Sequence, residues 1–319
     1  MVLRIGTRGS ALALWQARSV AARLEQAGAR VEIVTIVTTG DRREGAPSPA
    51  TATKRVFVKE IEEALISKEI DIAVHSAKDM PAQDPDGLAV AAVLPRDDPR
   101  DALVLSPSPE TGGLDVALAR LGPAASIGTG SVRRIAQFSA LLPRATFAPI
   151  RGNVDTRLRK LDAGDYDALI LAAAGLRRLG LGARISAAIP IEDSVPAPGQ
   201  GIVAIQVREE DLRAAEAVRQ IGDEPAWLSL MAERAVVLGL GGGCDLPLGA
   251  IALHQNGQNG QNGSMRALAV VASLDGRQIL RRDTSGPASD AAGIGRKLAG
   301  MLAEAGAGDI LGQARDGLT

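Results

Sequence analysis

Asp71-Ile72-Ala73-Val74-His75-Ser76-Ala77-Lys78-Asp79-Met80-Pro81 is the stretch that sets the fold class, because an apolar run there delivers ionisable residues to its end. Ile70, Ile72, Ala73 and Val74 read as a short buried strand. The amphipathic segment 57–68 before it supplies the helix of a βαβ unit, and Pro81 stops regular structure. In open α/β sheets, ligands bind beyond the carboxyl ends of the strands, which is where His75, Ser76, Lys78 and Asp79 emerge. A capped strand carrying a surface Lys and Asp accounts for this one segment equally well, so other stretches must decide.

Toward the N-terminus, residues 3–6 read as a strand running into Thr7-Arg8-Gly9-Ser10. Leu14, Ala17, Ala21 and Leu24 then repeat at helical spacing until Gly28, with Ser10 as N-cap. Backbone N–H groups at that helix start, with Arg8 beside them, suit an anion. Residues 31–37 form the next strand. Segment 42–55 lacks periodicity and contains Gly45, Pro47 and Pro49, so it reads as a long loop; in that reading it is a candidate lid.

Toward the C-terminus, a strand at 88–94 is followed by Pro95-Arg96-Asp97-Asp98-Pro99-Arg100, a linker by its prolines and charges. A second α/β region has strands near 102–105, 125–128, 146–150 and 168–172, with helical patterns at 131–142 and 154–161; this alternation predicts a parallel sheet. Ser194-Val195-Pro196-Ala197-Pro198-Gly199-Gln200-Gly201 is another junction, and the apolar strand 202–207 after it can return to the first sheet. The first domain is then discontinuous, 1–95 with 197–218, and the second spans 99–195. From about residue 221 the alternation ends. A helix at 226–238 runs into Gly239-Leu240-Gly241-Gly242-Gly243-Cys244, and strands follow, so 221–319 reads as an α+β domain. Asp275-Gly276 is a hairpin signal, and the Gln-Asn-Gly repeats over 255–263 are an exposed loop.

Composition narrows the function. Hydrophobic residues make up 46% and aromatics only 2%, so the cores are packed with Ala, Val, Leu and Ile, and base-stacking platforms are disfavoured. A formal net charge of −1 argues against a general polyanion binder and against nucleic acid. One cysteine excludes an intrachain disulfide and a Cys-cluster zinc site, and two histidines leave little for metal ligation, so no metal is expected. The N-terminus has no signal-peptide core and no apolar run reaches membrane-spanning length, so a soluble, cytoplasmic protein is expected.

Arginines recur where strands meet loops: Arg8, Arg133-Arg134 after Gly128-Thr129-Gly130-Ser131, Arg151 and Arg157 around Gly152-Asn153, and Arg177-Arg178. The Gly128–Ser131 turn is similar to a phosphate cradle, yet no Walker motif or complete Gly-x-Gly-x-x-Gly accompanies it. Guanidinium groups pair bidentately with carboxylates, so several on converging loops suggest a ligand bearing many carboxylates. Solvated surface arginine is the competing reading for each alone. Cys244 follows three glycines and is either an exposed, reactive thiol or a small buried hydrophobe. His75 lies in an apolar strand and reads as a core residue; His254 reads as surface. A Ser-His-Asp or Cys-His machine finds little support.

Thr7-Arg8-Gly9-Ser10-Ala11-Leu12-Ala13-Leu14, the 75–81 segment, Gly128 to Arg134 with its Ser-Val-Arg-Arg, Arg151-Gly152-Asn153-Val154-Asp155-Thr156-Arg157-Leu158, Pro198-Gly199-Gln200-Gly201 and the Gly-rich cysteine together resemble the porphobilinogen deaminase (hydroxymethylbilane synthase) family, in its order and over nearly the whole chain. The resemblance implies two periplasmic-binding-protein-like α/β lobes with the active cleft between them, plus a C-terminal α+β domain carrying the cysteine. It implies that Cys244 holds a dipyrromethane cofactor through a thioether. Four porphobilinogens are then added head to tail by way of linear oligopyrrole intermediates, and hydrolysis releases hydroxymethylbilane for tetrapyrrole biosynthesis, in a cytoplasmic monomer. By the same resemblance Asp79 matches the catalytic aspartate; Lys54, Lys78, Ser131, Arg133 and Arg134 match cofactor contacts; and Arg8, Ser10, Arg151, Arg157, Arg178 and Gln200 match substrate contacts. Gly130 stands where the family commonly has a second serine, and Arg55 follows Lys54 where it commonly has glycine.

The chemistry implied fits the residues. Loss of ammonia from the aminomethyl group leaves an electrophilic azafulvene, and attack by a pyrrole carbon creates positive charge that a fixed carboxylate stabilises. Arginines bind the acetate and propionate groups, more of which accumulate at each addition. Two other classes explain part of the pattern. A cytoplasmic two-lobed binding protein for a polycarboxylate small molecule needs the arginines but not Cys244; a cysteine-nucleophile transferase or hydrolase needs a base beside Cys244 that the sequence does not identify.

Overall fold

The computed structural model describes residues 2–38, 58–106, 113–241, 246–255 and 263–316. The chain opens with β1 (Val2–Thr7), α1 (Ala11–Gln26), β2 (Arg30–Thr35), α2 (Lys59–Ile66), β3 (Ile72–Ser76) and β4 (Leu88–Val93). A second set follows: β5 (Asp101–Leu105), α3 (Leu114–Leu121), β6 (Ser126–Gly128), α4 (Val132–Leu141), β7 (Thr146–Ala148), α5 (Val154–Asp162), β8 (Ala168–Ala172), α6 (Ala173–Arg178) and β9 (Ala187–Ala188). The chain then returns with β10 (Val203–Arg208) and α7 (Leu212–Arg219).

The first lobe is a five-stranded sheet in the order β2-β1-β3-β10-β4, and the second a five-stranded sheet in the order β7-β6-β8-β5-β9. On α1, the side chains of Ala13, Ala17, Val20, Ala21 and Leu24 are buried at three- and four-residue spacing. That stripe lies over Leu3, Ile5, Ile72 and Val74, with α7 adding Ala214 and Val218 on the same face. The other face is covered by Ile61, Ala64 and Leu65 of α2. In the second lobe, Phe138 of α4 packs with Leu103, Ile127 and Ile170, while Leu158 and Leu161 of α5 pack with Val104, Leu169 and Leu171.

The second sheet is mixed where the alternation predicts a parallel one. β6 runs parallel to β7 and β8, but β5 is antiparallel to β8 and β9, as β10 is to β3 and β4. The reason is where the chain crosses between lobes. A strand arriving from the hinge starts at the edge where the parallel strands end, so Asp101 pairs with Ala172 and Val203 with Ser76. Both crossings therefore lie at the carboxyl ends of the parallel strands, where ligands bind.

The C-terminal region has α8 (Glu224–Gly239), the antiparallel sheet of β11 (Leu248–Gln255), β12 (Ser264–Ala272) and β13 (Ile279–Pro287), then α9 (Ala291–Glu304) and α10 (Ala307–Asp316). Asp223 Oδ1 accepts from Ala226 N at 2.8 Å and caps α8. This helix is buried on two sides: Ala226 and Leu230 pack under the first lobe, Ala232 and Val236 against the C-terminal sheet. The hairpin expected at Asp275-Gly276 is present. Gly276 adopts φ +70°, and a Cβ there would meet Ala136 O and Ala140 N at 2.8 and 2.7 Å, so the hairpin tip seats on α4.

The hinge is gripped from the C-terminal region by Glu233. Its carboxylate accepts from Arg96 Nη1 at 2.6 Å, Gly199 N at 2.6 Å and Ala252 N at 2.8 Å, so it holds both crossings. Gly199 has φ +74°, and a Cβ would sit 2.9 Å from Ala77 Cβ and 3.1 Å from Lys78 N. Only glycine allows this approach. Gly199→Ala is expected to cost roughly 1–3 kcal/mol, measured by urea denaturation, from left-handed strain and displacement of the 77–79 turn; a parental midpoint would show that the turn yields freely.

Candidate active site

The cleft edge of the first lobe is the end of β3 and the single 3-10 turn Ala77–Asp79 that follows. This turn is fixed from several sides. Ala77 N donates to Ile202 O at 3.0 Å, and Ser76 Oγ accepts from the buried Gln16 Nε2 at 2.8 Å. Lys78 Nζ donates to Gln200 Oε1 at 3.4 Å. Next to it, Ser10 Oγ accepts from Ala13 N at 3.3 Å as the N-cap of α1, as its position predicts, and Arg8 is half-buried just before.

The facing edge belongs to the second lobe. β6 ends at Gly128, and α4 begins with Arg133 and Arg134 in its first turn. Both guanidinium groups converge on Asp101: Arg133 Nη1 lies 2.8 Å from Oδ2, Arg134 Nη2 2.8 Å from Oδ1. Arg133 also donates to Val195 O at 2.6 Å, so its Nη groups are held by protein acceptors. Arg157 reaches in from α5, its Nε bound to Gly152 O at 2.8 Å. Ser131 and Asn153 stand at the N-caps of α4 and α5, and neither makes a side-chain capping bond.

The Arg157 guanidinium is pushed down to about 10, first by burial and then by the Arg134 charge, while the Asp79 carboxylate pulls it back up. It stays protonated at neutral pH by a wide margin. A carboxylate of the first lobe and two guanidinium groups of the second thus lie within electrostatic reach of one another, with the Lys78 ammonium joined to Arg134 through Gln200, which Arg134 Nη2 approaches at 3.5 Å.

The remaining residues expected from the sequence are spread more widely. Gln200 is buried at the hinge. Arg178 also sits there: Nη2 donates to Gly201 O at 2.6 Å, Nε lies 3.4 Å from Asp97 Oδ2, and the guanidinium is 5.4 Å from the Trp15 ring centroid. It bridges the lobes from α6 to α1. Arg151 is exposed after β7. Lys54, Cys244 and the 42–55 loop lie outside the described residues, as does most of the Gln-Asn-Gly repeat. Sequence reasoning missed Asp101, Ser194 and Gln16. Asp101 directly follows the charge-rich linker 95–100 and reads as part of its charge, although a carboxylate opening the apolar run Ala102-Leu103-Val104-Leu105 has no obvious route to solvent.

His75 is a core residue, as its apolar strand predicts. Burial pushes its imidazole down to about 4, against opposing influences of Gln206, Asp79 and Asp84. It is therefore neutral at neutral pH. Between about pH 6.5 and 4 the unfolded chain binds the proton and the folded one does not, so stability rises with pH across that window and falls on acidification. About 2 kcal/mol should be lost between pH 7 and pH 5, read as the change in urea-unfolding free energy, and His75→Asn should lack this component. Equal pH dependence in the two proteins would assign the loss elsewhere.

The chain matches known proteins along most of its length. The family profile described as "Porphobilinogen deaminase, dipyromethane cofactor binding domain" matches residues 3–216, and "Porphobilinogen deaminase, C-terminal domain" matches 227–304. The chain is 42% identical to the porphobilinogen deaminase of Syntrophomonas wolfei, covering 98% of this chain and 99% of that one. It is 44% identical to that of Thermus thermophilus, again over 98% and 99%. Among solved structures, the periplasmic VFT2 domain of Bordetella pertussis BvgS is similar over 69% of this chain and 86% of its own, at 15% identity and a TM-score of 0.40. No described helix is long and apolar enough to cross a membrane.

Proposed function

The chain belongs to the porphobilinogen deaminase family, and on that premise we propose that its interlobe cleft deaminates porphobilinogen and joins four units head to tail, releasing hydroxymethylbilane by hydrolysis. The observation that carries the reading is that Lys78, next to Asp79 on the first lobe's turn, and Arg134 of the second lobe share Gln200 Oε1, at 3.4 and 3.5 Å, with Arg157 feeling the charges of both Asp79 and Arg134. Such an arrangement divides two tasks: the cations take the ligand's carboxylates, and Asp79 takes the positive charge that develops when ammonia leaves.

The residues present fit a dipyrromethane. Such a group carries acetate and propionate carboxylates, and the cleft offers Lys78, Arg134 and Arg157 together with the α4 and α5 N-termini, whose N–H groups are not used by the side chains of Ser131 and Asn153. Cys244 is assigned the covalent link, through a thioether, and Lys54 a further contact, both on the family pattern. When bound, the cofactor supplies the nucleophilic pyrrole carbon at which chain growth begins.

The protein's part is to bind, orient and stabilise. Lys78, Ser131 and Arg134 hold the bound pyrroles by their carboxylates, with Arg133 adding charge from behind. Arg8, Ser10, Arg151 and Arg157 receive the incoming substrate. Gln200 and Arg178 keep the two edges in register at the hinge. Asp79 accepts pyrrole N–H bonds and lowers the energy of the azafulvene cation, because a fixed carboxylate needs no reorganisation when charge appears. It is also the group in place to move a proton at the reacting carbon.

The test is purified protein with porphobilinogen as sole substrate. One ammonia released per molecule consumed, with hydroxymethylbilane as the product, is expected. Binding without release of ammonia would leave only a polycarboxylate-binding protein.

A further inference from the structure

Asp101 is the first residue of β5 and is fully buried. Its Oδ1 accepts from Arg133 Nη2 at 3.0 Å, Arg134 Nε at 3.0 Å, Arg134 Nη2 at 2.8 Å and Gln200 Nε2 at 3.0 Å. Its Oδ2 accepts from Arg133 Nη1 at 2.8 Å and Ser194 Oγ at 3.0 Å. Burial disfavours a carboxylate, yet the two guanidinium charges hold this one well below the usual range. One negative charge therefore faces two positive ones, and the surplus is positive.

The geometry decides where that surplus is felt. Arg133 is turned inward, toward Val195 O and Ser194. Arg134 is anchored by Asp101 and by Ile170 O at 2.9 Å, and its charge extends to Arg157 in the cleft. Gln200 is oriented by the same carboxylate. Its Nε2 donates to Asp101 and to Pro99 O at 2.7 Å, so Oε1 must point the other way, toward Lys78 Nζ and Arg134 Nη2. The opposite amide orientation would set an NH2 group against two cations and leave Asp101 facing a carbonyl oxygen.

We propose that Asp101 is a positioning residue for the reaction: through Arg134 and Gln200 it sets the spacing between the guanidinium of one lobe and the Lys78 ammonium of the other, and Arg133 serves as its counter-ion. The carboxylates of the bound pyrroles then meet cations already in place, and the pyrrole end that the incoming substrate must reach beside Arg157 is fixed with them, which is the condition for binding without paying again for their order. This role rests on the cleft being the reaction site.

The experiment compares Asp101→Asn, Ser194→Ala and Asp79→Asn in the full-length protein, by urea denaturation and by porphobilinogen saturation kinetics. Asp101→Asn is expected to raise KM roughly tenfold or more, with a smaller change in kcat, since it loosens charge-assisted bonds to Arg134 and the amide lock on Gln200. Ser194→Ala removes one donor and leaves both arginine pairs, so a several-fold rise in KM at a near-parental urea midpoint is expected. A lowered midpoint with parental KM in both variants makes Asp101 structural only and overturns the proposal. Should Asp101→Asn not fold, Ser194→Ala decides by the same criterion. Asp79→Asn separates the two readings: full turnover there refutes the cleft itself, whereas lost turnover there with parental KM in the other variants refutes only the positioning role.

Discussion

Asp79→Asn is expected to lose roughly 10²–10³-fold in kcat while keeping its urea midpoint and its covalently bound pyrroles. Asparagine has the size of aspartate and still accepts a hydrogen bond from a pyrrole N–H, so the ground-state complex should form. What it lacks is the full charge that lowers the energy of the cation formed as ammonia departs. The backbone turn that carries residue 79 is held by Ala77 N on Ile202 O and by the close approach of Gly199, none of which involves the carboxylate. The loss should therefore appear in kcat much more than in KM. Saturation kinetics with intact-mass analysis of the same preparation checks both halves; a rate within a few-fold of the parent would remove Asp79 from the chemistry.

Cys244→Ser is expected to give folded protein with no attached pyrrole at all. A thiol is partly ionised near neutral pH and is an intrinsically strong nucleophile, whereas a serine hydroxyl without an activating base is neither. Turnover should fall to background with it, since chain growth then has no starting point. Recovery of the same adduct on the serine variant would move the attachment point elsewhere.

Much of this fold was legible because its signals are local. The apolar run before Ser76 and the N-cap at Ser10 each depend on a few neighbouring residues, and both appear where the sequence puts them. Strand direction is not local. Nothing in Ala102-Leu103-Val104-Leu105 tells whether it runs with or against β8; that follows from the chain having just crossed the hinge. The C-terminal helices are quieter still. The face of α9 is Ile294, Leu298 and Leu302 among Ala and Gly, a narrow stripe held by packing against α8 and the C-terminal sheet.

The site divides in the same way. Arg134, Arg157, Lys78 and Asp79 announce themselves as charges in the turns and helix starts that follow strands, where ligands bind in such sheets. Asp101 does not, because its meaning lies in contacts with residues far along the chain, Arg133, Ser194 and Gln200. Arg178 carries a further set of contacts that its sequence position does not announce. The family pattern makes it a substrate contact, and in the fold its guanidinium also joins Gly201 O, Asp97 and Trp15 across the hinge.

The central claim is that pyrroles are assembled while covalently bound to this chain. The intact mass of the full-length protein, purified from cells that make porphobilinogen and then mixed with a few equivalents of it, tests this most directly. A resting mass above that of the polypeptide by a dipyrromethane is expected, then a ladder of species each heavier by one further pyrrole unit, with both absent from Cys244→Ser. A resting mass equal to the bare polypeptide, unchanged on adding porphobilinogen while the substrate is consumed, would contradict it.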